Sequence, residues 1–256
     1  MKKNYLKKAL IDGKTVFGPF LKITDPAVVE IMGHAGFDFV IIDQEHGPIS
    51  IQNTQNMIRA AESANITPII RVAKNDESLI LRALDIGAQG IEIPQINCKA
   101  DALKAVNSVK YFPQGMRGMC RYVRAANYSS IDKFKYFESA NEETMIIIHI
   151  EGIQGINNLD EILTVSGIDV VFIGPYDLSQ SLGIPGQIEN PLVEERMREV
   201  VFKCKQQRIS VGTFTDDIQT AKKWISLGVQ YMSFSVDVGI LYNSTNNIVN
   251  QLLGKP

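Results

Sequence analysis

Eight short apolar runs recur along the chain, and between them apolar residues fall at three- and four-residue spacing. Residues 15–21, 39–42, 67–72, 90–94, 145–151, 168–174, 209–213 and 231–234 read as strands, and the runs at 145–151 and 168–174 are the most apolar. Continuous apolar stretches of this length are the pattern of strands buried on both faces, as in a parallel sheet covered by helices. Val28, Val29, Ile31 and Met32 mark the inner face of one helix, and Met57, Ile58 and Ala61 that of the next. Leu79, Ile80, Ala83 and Leu84 mark a third, and Val193, Met197, Val200, Val201 and Cys204 a later one. Thr24 or Asp25 before Pro26, and Asn75 or Asp76, supply helix starts by capping chemistry, while Gly36, Gly87 and Gly228 supply ends. Further helices are expected over Lys99–Val109 and residues 216–227 and 238–253. Residues 111–144 are irregular apart from a short helix near 131–139, and so long a loop in a compact domain implies a functional role.

Strand–helix alternation repeated eight times, with no Pro- or Gly-rich linker, predicts an α/β protein with one domain over residues 1–256, a (β/α)8 TIM barrel. The competing doubly wound sheet would carry a glycine-rich phosphate turn, and no GxGxxG or GxxxxGK follows any strand.

Composition narrows the partners. Hydrophobic residues make up 45% and charged residues 21% of the 256, enough for a large core. A net charge of -2 and a pI near 6.0 give no electrostatic case for nucleic acid or an anionic membrane. The basic MKKNYLKKAL is followed by Ile11, Asp12, Gly13 and Lys14, where a secretory signal would need an apolar core. No apolar run approaches the ~18 to 20 residues that span a bilayer. Cys98, Cys120 and Cys204 are widely separated and lack CxxC spacing, which suits reduced thiols in the cytoplasm. A cytoplasmic enzyme acting on a small-molecule substrate is expected.

On such a barrel the catalytic groups come from the carboxyl ends of different strands. Asp43, Glu45 and His46 follow the second strand at once, with Gly47 and Pro48 as a stop. Ionisable side chains there are costly to desolvate unless they meet a partner, a metal or a substrate. Arg71, Gln95, Glu151 and Asp177 stand at the ends of strands three to six. Two separated carboxylates with few histidines suit a hard divalent cation, Mg²⁺ or Mn²⁺, with Co²⁺ or Zn²⁺ also compatible. Such an ion would act as a Lewis acid on a carbonyl, and Arg71 would add fixed positive charge where an oxyanion develops. His46 suits proton transfer, since its reference pKa is about 6.5. Structural alternatives stand beside these roles: Arg71 as an ion-pair partner of Glu45 or Asp43, and His149, on the same side as Glu151 by alternation, as barrel filling or support for the metal.

The blocks IIDQEHGP, IIRV, LDIGAQGIEIPQI, YFPQGMRG, HIEGIQGINNLDEIL and VFIGPYDLSQSLG resemble, in order and spacing, the class II pyruvate aldolases of the HpcH/HpaI family. That group includes 4-hydroxy-2-oxoheptanedioate aldolase and 2-keto-3-deoxy sugar-acid aldolases. The resemblance runs from Val16 to about Leu252. It implies a lyase that reversibly cleaves a 4-hydroxy-2-oxo acid to pyruvate and an aldehyde through a metal-stabilised enolate. It further implies that Glu151 and Asp177 hold the metal, that His46 paired with Asp85 moves protons, and that Arg71 stabilises the enolate. Gly174 to Asp177 would supply N–H groups to the pyruvate carboxylate, and Gln95 would line the pocket. A homo-oligomer, a hexamer with its C-terminal helix exchanged between neighbours, is implied as well. Two positions depart from the family pattern: His149 replaces the usual glutamine, and Tyr176 replaces a small residue before the metal aspartate.

Arg121 and Arg124 in the irregular section are candidates for an anionic group on the aldehyde, or for loop and subunit contacts. Two competing functions remain at this level. One is a Schiff-base aldolase using Lys22 or Lys74, both near strand ends. The other is a non-catalytic keto-acid-binding barrel, which fold alone does not exclude.

Overall fold

The computed structural model describes residues 2–255. Its strands are β1 Val16–Leu21, β2 Phe39–Asp43, β3 Thr67–Arg71, β4 Gly90–Ile93, β5 Met145–Ile150, β6 Val170–Ile173, β7 Ser210–Thr215 and β8 Tyr231–Val236. The helices are α1 Tyr5–Ile11, α2 Ala27–His34, α3 Ile51–Ser63, α4 Glu77–Asp85, α5 Lys99–Val109 and α6 Lys133–Glu143. They continue as α7 Ile153–Asn157, α8 Leu159–Ile162, α9 Pro175–Ser181, α10 Pro191–Gln206, α11 Ile218–Leu227 and α12 Asp237–Leu252. All eight strands pair in parallel with their sequence neighbours, and β8 closes on β1, giving the TIM barrel that the alternation predicts.

Period-two alternation divides the strand residues between two cores. Val40, Ile42, Ile70, Ile91, Ile148 and Val171 point outward against the helices, while Phe20, Phe39, Ile41, Ile69, Ile147, Phe172 and Tyr231 fill the barrel. Phe39 and Tyr231 stack with ring centroids 4.2 Å apart. Gly18 permits this filling, because a Cβ there would overlap the Phe39 carbonyl and ring. Asp76 caps α4 as the sequence implies, its side chain accepting from Ser78 N and Leu79 N, and Ser50 caps α3 by accepting from Asn53 N. By contrast, α2 is capped by Pro26 without a side-chain bond, and the Asp25 side chain accepts only from Ala27 N.

Two regions were not legible. The basic N-terminus forms α1, whose Leu6 and Leu10, one turn apart, pack beneath the barrel filling and close the amino end of the barrel. Residues 111–144 are better ordered than expected: α6 runs four residues beyond the expected short helix, and Tyr111, Ala126, Tyr136 and Ala140 form a small core of their own. Arg124 anchors this section by donating to both Glu62 carboxylate oxygens, at 3.1 and 2.7 Å, and to Ile86 O. Arg124 thus makes the loop contacts that were one of its two alternatives, and it does not line the cavity at the strand ends. Arg121 lies exposed against the Tyr122 ring. Among the described residues, no helix is long and apolar enough to cross a membrane.

Candidate active site

The strand order carries β2, β3, β5 and β6 to one mouth of the barrel, where a cavity of about 410 Å³ opens. Asp43, His46, Arg71, His149, Glu151, Gly174, Tyr176 and Asp177 line it, with Phe20, Phe172 and Phe214 on the apolar side and Lys22 and Asp216 nearby. Larger hollows of about 720 and 740 Å³ lie elsewhere, but neither faces two carboxylates across from a buried arginine. The chemistry selects the smaller one, whose size suits a metabolite.

Asp43 organises the first half of the site. It is fully buried at the end of β2, and its Oδ1 accepts from Glu45 N at 3.0 Å and His46 N at 3.2 Å, fixing the turn that carries His46. Gly47 completes the turn, since a Cβ there would overlap the Asp43 carbonyl. Arg71 donates to both Asp43 oxygens, Nε at 2.9 Å and Nη2 at 2.7 Å, and its Nη1 lies 3.2 Å from Glu45 Oε2. Its guanidinium also lies over the Phe20 ring at 4.5 Å. Burial would raise the Asp43 pKa, but the hydrogen bonds and charge of Arg71 outweigh it and hold the carboxyl below its ordinary value. Burial dominates at Glu45, whose pKa rises. Each terminal nitrogen of Arg71 keeps an uncommitted N–H, so the residue is both the ion-pair partner anticipated and a donor available to a ligand. His46 stands at the rim with its side chain 60% exposed.

The second half is a pair of carboxylates. Glu151 Oε1 accepts from Gln95 N at 2.7 Å, and its Oε2 lies 3.5 Å from His149 Nδ1. Gln95 aims that N–H from a left-handed backbone, φ +58, at the end of β4. Its side chain is exposed, so Gln95 acts on Glu151 through its backbone and does not line the cavity as the sequence suggested. Gly174 separates the carboxylates: a Cβ there would lie 3.3 Å from Glu151 Oε2 and 3.6 Å from Asp177 Oδ2. Burial works to raise both carboxyls; at Glu151 the contact with His149 prevails and lowers its pKa, whereas at Asp177 burial and the facing Glu151 charge raise it. Two like charges converging on an open cradle fit a hard divalent cation. Among the described residues no cluster of three or more His, Cys, Asp or Glu forms a complete cage. A two-carboxylate site of this kind leaves its other positions to water and substrate oxygens.

His149 is 1% exposed and stacks on Phe172 at 4.5 Å. Burial would depress its pKa, but Glu151 and Glu92 hold it up at about 9. Tyr176 is 45% exposed, 6.1 Å from Phe214 across the mouth, and narrows the entrance. Lys22 lines the cavity; Lys74 is exposed and does not.

Asp85 is not brought to His46 within this chain. It ends α4, which descends from the mouth toward the amino ends of the strands, and Arg117 Nη2 donates to it at 2.6 Å. The sequence named Asp43 among the ionisable residues after the second strand and as a possible partner of Arg71, and the structure adds that it also fixes the turn carrying His46. Sequence reasoning overlooked Glu92, which the alternation of Ile91, Glu92 and Ile93 turns into the barrel.

A model of the HpcH/HpaI aldolase/citrate lyase family matches residues 17–244. The chain is similar to a hydroxypyruvate/pyruvate aldolase of Roseobacter denitrificans, at 34% identity over 96% of this chain and 95% of that protein. It is also similar to a 2-keto-3-deoxy-L-rhamnonate aldolase of Salmonella gallinarum, at 34% identity over 91% of this chain and 87% of the other. A crystal structure of a HpcH/HpaI aldolase/citrate lyase family protein from Burkholderia cenocepacia superposes with a TM-score of 0.93 at 32% identity, covering 98% of this chain and 99% of that one.

Proposed function

The chain belongs to the HpcH/HpaI aldolase/citrate lyase family, and from that membership we propose that it is a divalent-metal-dependent aldolase. Its reaction is the reversible cleavage of a 4-hydroxy-2-oxo acid to pyruvate and an aldehyde. The observation that carries this is the convergence of Glu151 and Asp177 on the Gly174 cradle in the same cavity as Arg71, a guanidinium locked by Asp43.

Glu151 and Asp177 would hold Mg²⁺ or Mn²⁺, which when bound supplies Lewis acidity toward the keto oxygen. The free N–H bonds of Arg71 place fixed positive charge where the substrate oxygen becomes negative as the C3–C4 bond breaks. Because Asp43 and Phe20 hold the guanidinium in place, little reorganisation is needed as that charge develops. His46, on a turn fixed by Asp43, takes the proton of the 4-hydroxyl and returns one in the synthetic direction. Gly174 and Tyr176 border the carboxylate end of the bound keto acid.

The enzyme works as a homo-oligomer, a hexamer with α12 exchanged between neighbours. Supporting this, the only buried residue of the sixteen-residue α12 is Asp237, while Leu241, Tyr242, Ile248 and Leu252 are exposed. A pairing of Asp85 with His46 then requires two copies, because within one chain they stand at opposite ends of the barrel.

The test is exchange of the pyruvate methyl protons in D₂O, followed by NMR, with metal-free protein and Glu151→Ala as controls. Exchange that needs both metal and Glu151 is expected. No exchange with any divalent metal would overturn the aldolase assignment in favour of a keto-acid-binding barrel. Borohydride trapping with pyruvate should give no adduct, whereas an adduct on Lys22 would move the chemistry to a Schiff base.

A further inference from the structure

Glu92 is a fully buried carboxylate in the barrel interior, and the proposed chemistry makes no use of it. Most residues that fill the barrel are apolar, among them Phe20, Phe39, Ile41, Ile69, Ile147 and Phe172, so a carboxylate there is costly to desolvate unless it is paired. Both its oxygens are engaged. Tyr231 donates its hydroxyl to Oε1 at 2.8 Å, and His149 Nε2 lies 3.1 Å from Oε2. Since β4 and β8 are four strands apart in a closed ring of eight, the Tyr231–Glu92 bond crosses the whole barrel.

The imidazole is therefore held on three sides. Phe172 stacks on its face at 4.5 Å, Glu92 takes Nε2, and Nδ1 is left facing Glu151 Oε2 at 3.5 Å. Glu151 is itself fixed at its other oxygen by Gln95 N. Two contacts, one on each oxygen, define the plane of a carboxylate and so decide where its remaining lone pairs point. Here the shared neighbour is the Gly174 cradle, with Asp177 on its other side.

We propose that Glu92, anchored by Tyr231 and acting through His149, is a positioning residue that sets the orientation of Glu151 as a metal ligand. This rests on Glu151 being such a ligand. Without Glu92 the ring loses the partner at Nε2 that fixes its angle, and the His149 support of Glu151 is loosened. Outer partners of metal ligands typically govern affinity by about 10–100-fold.

The experiment is a Mn²⁺ titration followed by EPR of the free ion, which reads the Kd without turnover. It compares wild type, Glu92→Gln, Tyr231→Phe and Glu151→Ala, with a urea transition for each metal-free protein. Glu92→Gln should raise the Mn²⁺ Kd by about 10-fold or more, and Tyr231→Phe should raise it less. Glu151→Ala should abolish tight binding. If Glu151→Ala loses binding while folded Glu92→Gln binds as wild type, Glu92 is a structural residue only and the proposal is overturned. Should Glu92→Gln fail to fold, Tyr231→Phe, which keeps the ring and loses one hydroxyl, decides in its place: a shifted Kd supports the role and an unchanged Kd refutes it. Absence of Mn²⁺ binding in wild type, or unchanged binding in Glu151→Ala, removes the metal assignment itself and this inference with it.

Discussion

Replacing Asp43 by asparagine takes away the charge that Arg71 faces from inside the barrel and alters almost nothing else in shape. The amide oxygen can still accept from Glu45 N and His46 N, so the turn carrying His46 keeps its bonds. The amide nitrogen, however, now meets the Arg71 Nη2 donor at the position of a 2.7 Å ion pair. Breaking a buried pair by removing one partner costs about 3–5 kcal/mol. Glu45, 3.2 Å from Nη1, still neutralises part of the guanidinium, which puts the expected cost near 3 kcal/mol. At about 2–4 °C per kcal/mol for a chain of this size, the melting temperature should fall by roughly 6–12 °C. A double-mutant cycle in urea with Asp43→Asn, Arg71→Met and the combined variant isolates the pair, since Met keeps an apolar stem against Phe20. The pH dependence has a definite sign. The folded-state pKa of Asp43 is depressed, so its contribution is complete above the ordinary carboxylate value of about 3.9 and is lost as pH falls through the lower folded value. The acid side of the stability profile should therefore be flatter in Asp43→Asn. A coupling energy within about 0.5 kcal/mol of zero, the usual scatter for independent sites, would refute the reasoning.

Gly174→Ala adds a methyl 3.2 Å from Glu151 Cβ and 3.3 Å from its Oε2 on a backbone, φ -86, that alanine adopts freely. The metal-free protein should melt as wild type does while Mn²⁺ binding weakens; equal affinity would mean that the cradle is not the cation site. His46→Ala should slow cleavage by about 10²–10⁴-fold and leave Mn²⁺ affinity unchanged, and undiminished turnover would take His46 out of the mechanism. Burial pushes the Cys204 thiol up to about 12, whereas Cys120 is exposed, so alkylation of the native protein at pH 8 should mark Cys120 and spare Cys204. Equal labelling of the two, read by peptide mass spectrometry, would contradict that burial.

The barrel was legible because its strands are apolar on both faces, a signal that does not depend on distant partners. That His46, Arg71, Glu151 and Asp177 would share one cavity was legible for a related reason: strand order alone brings strand ends to one mouth. What depends on contact across the barrel was not. Nothing local in TPIIRV tells whether Arg71 faces Asp43, Glu45 or a ligand, and the structure has it reach both carboxylates. Gln95 was singled out for its side chain, while its contribution comes from a left-handed backbone N–H that no composition or periodicity reveals. Asp85 came from resemblance alone, and no local pattern shows that a helix beginning at the mouth carries it to the other side of the barrel, away from the His46 of its own chain.

The aromatic filling and the α1 floor make the cavity a blind alley with one opening. Asp43, His149 and Phe172 lie at its closed end, while His46, Tyr176 and Asp216 stand where it meets solvent. Molecules that occupy such a passage together must queue. On the proposed reaction the keto acid would seat against Glu151 and Arg71, enter first and leave last, with the aldehyde exchanging above it. Steady-state kinetics should then be compulsorily ordered, with pyruvate competing directly with the 4-hydroxy-2-oxo acid for free enzyme and the aldehyde inhibiting cleavage noncompetitively.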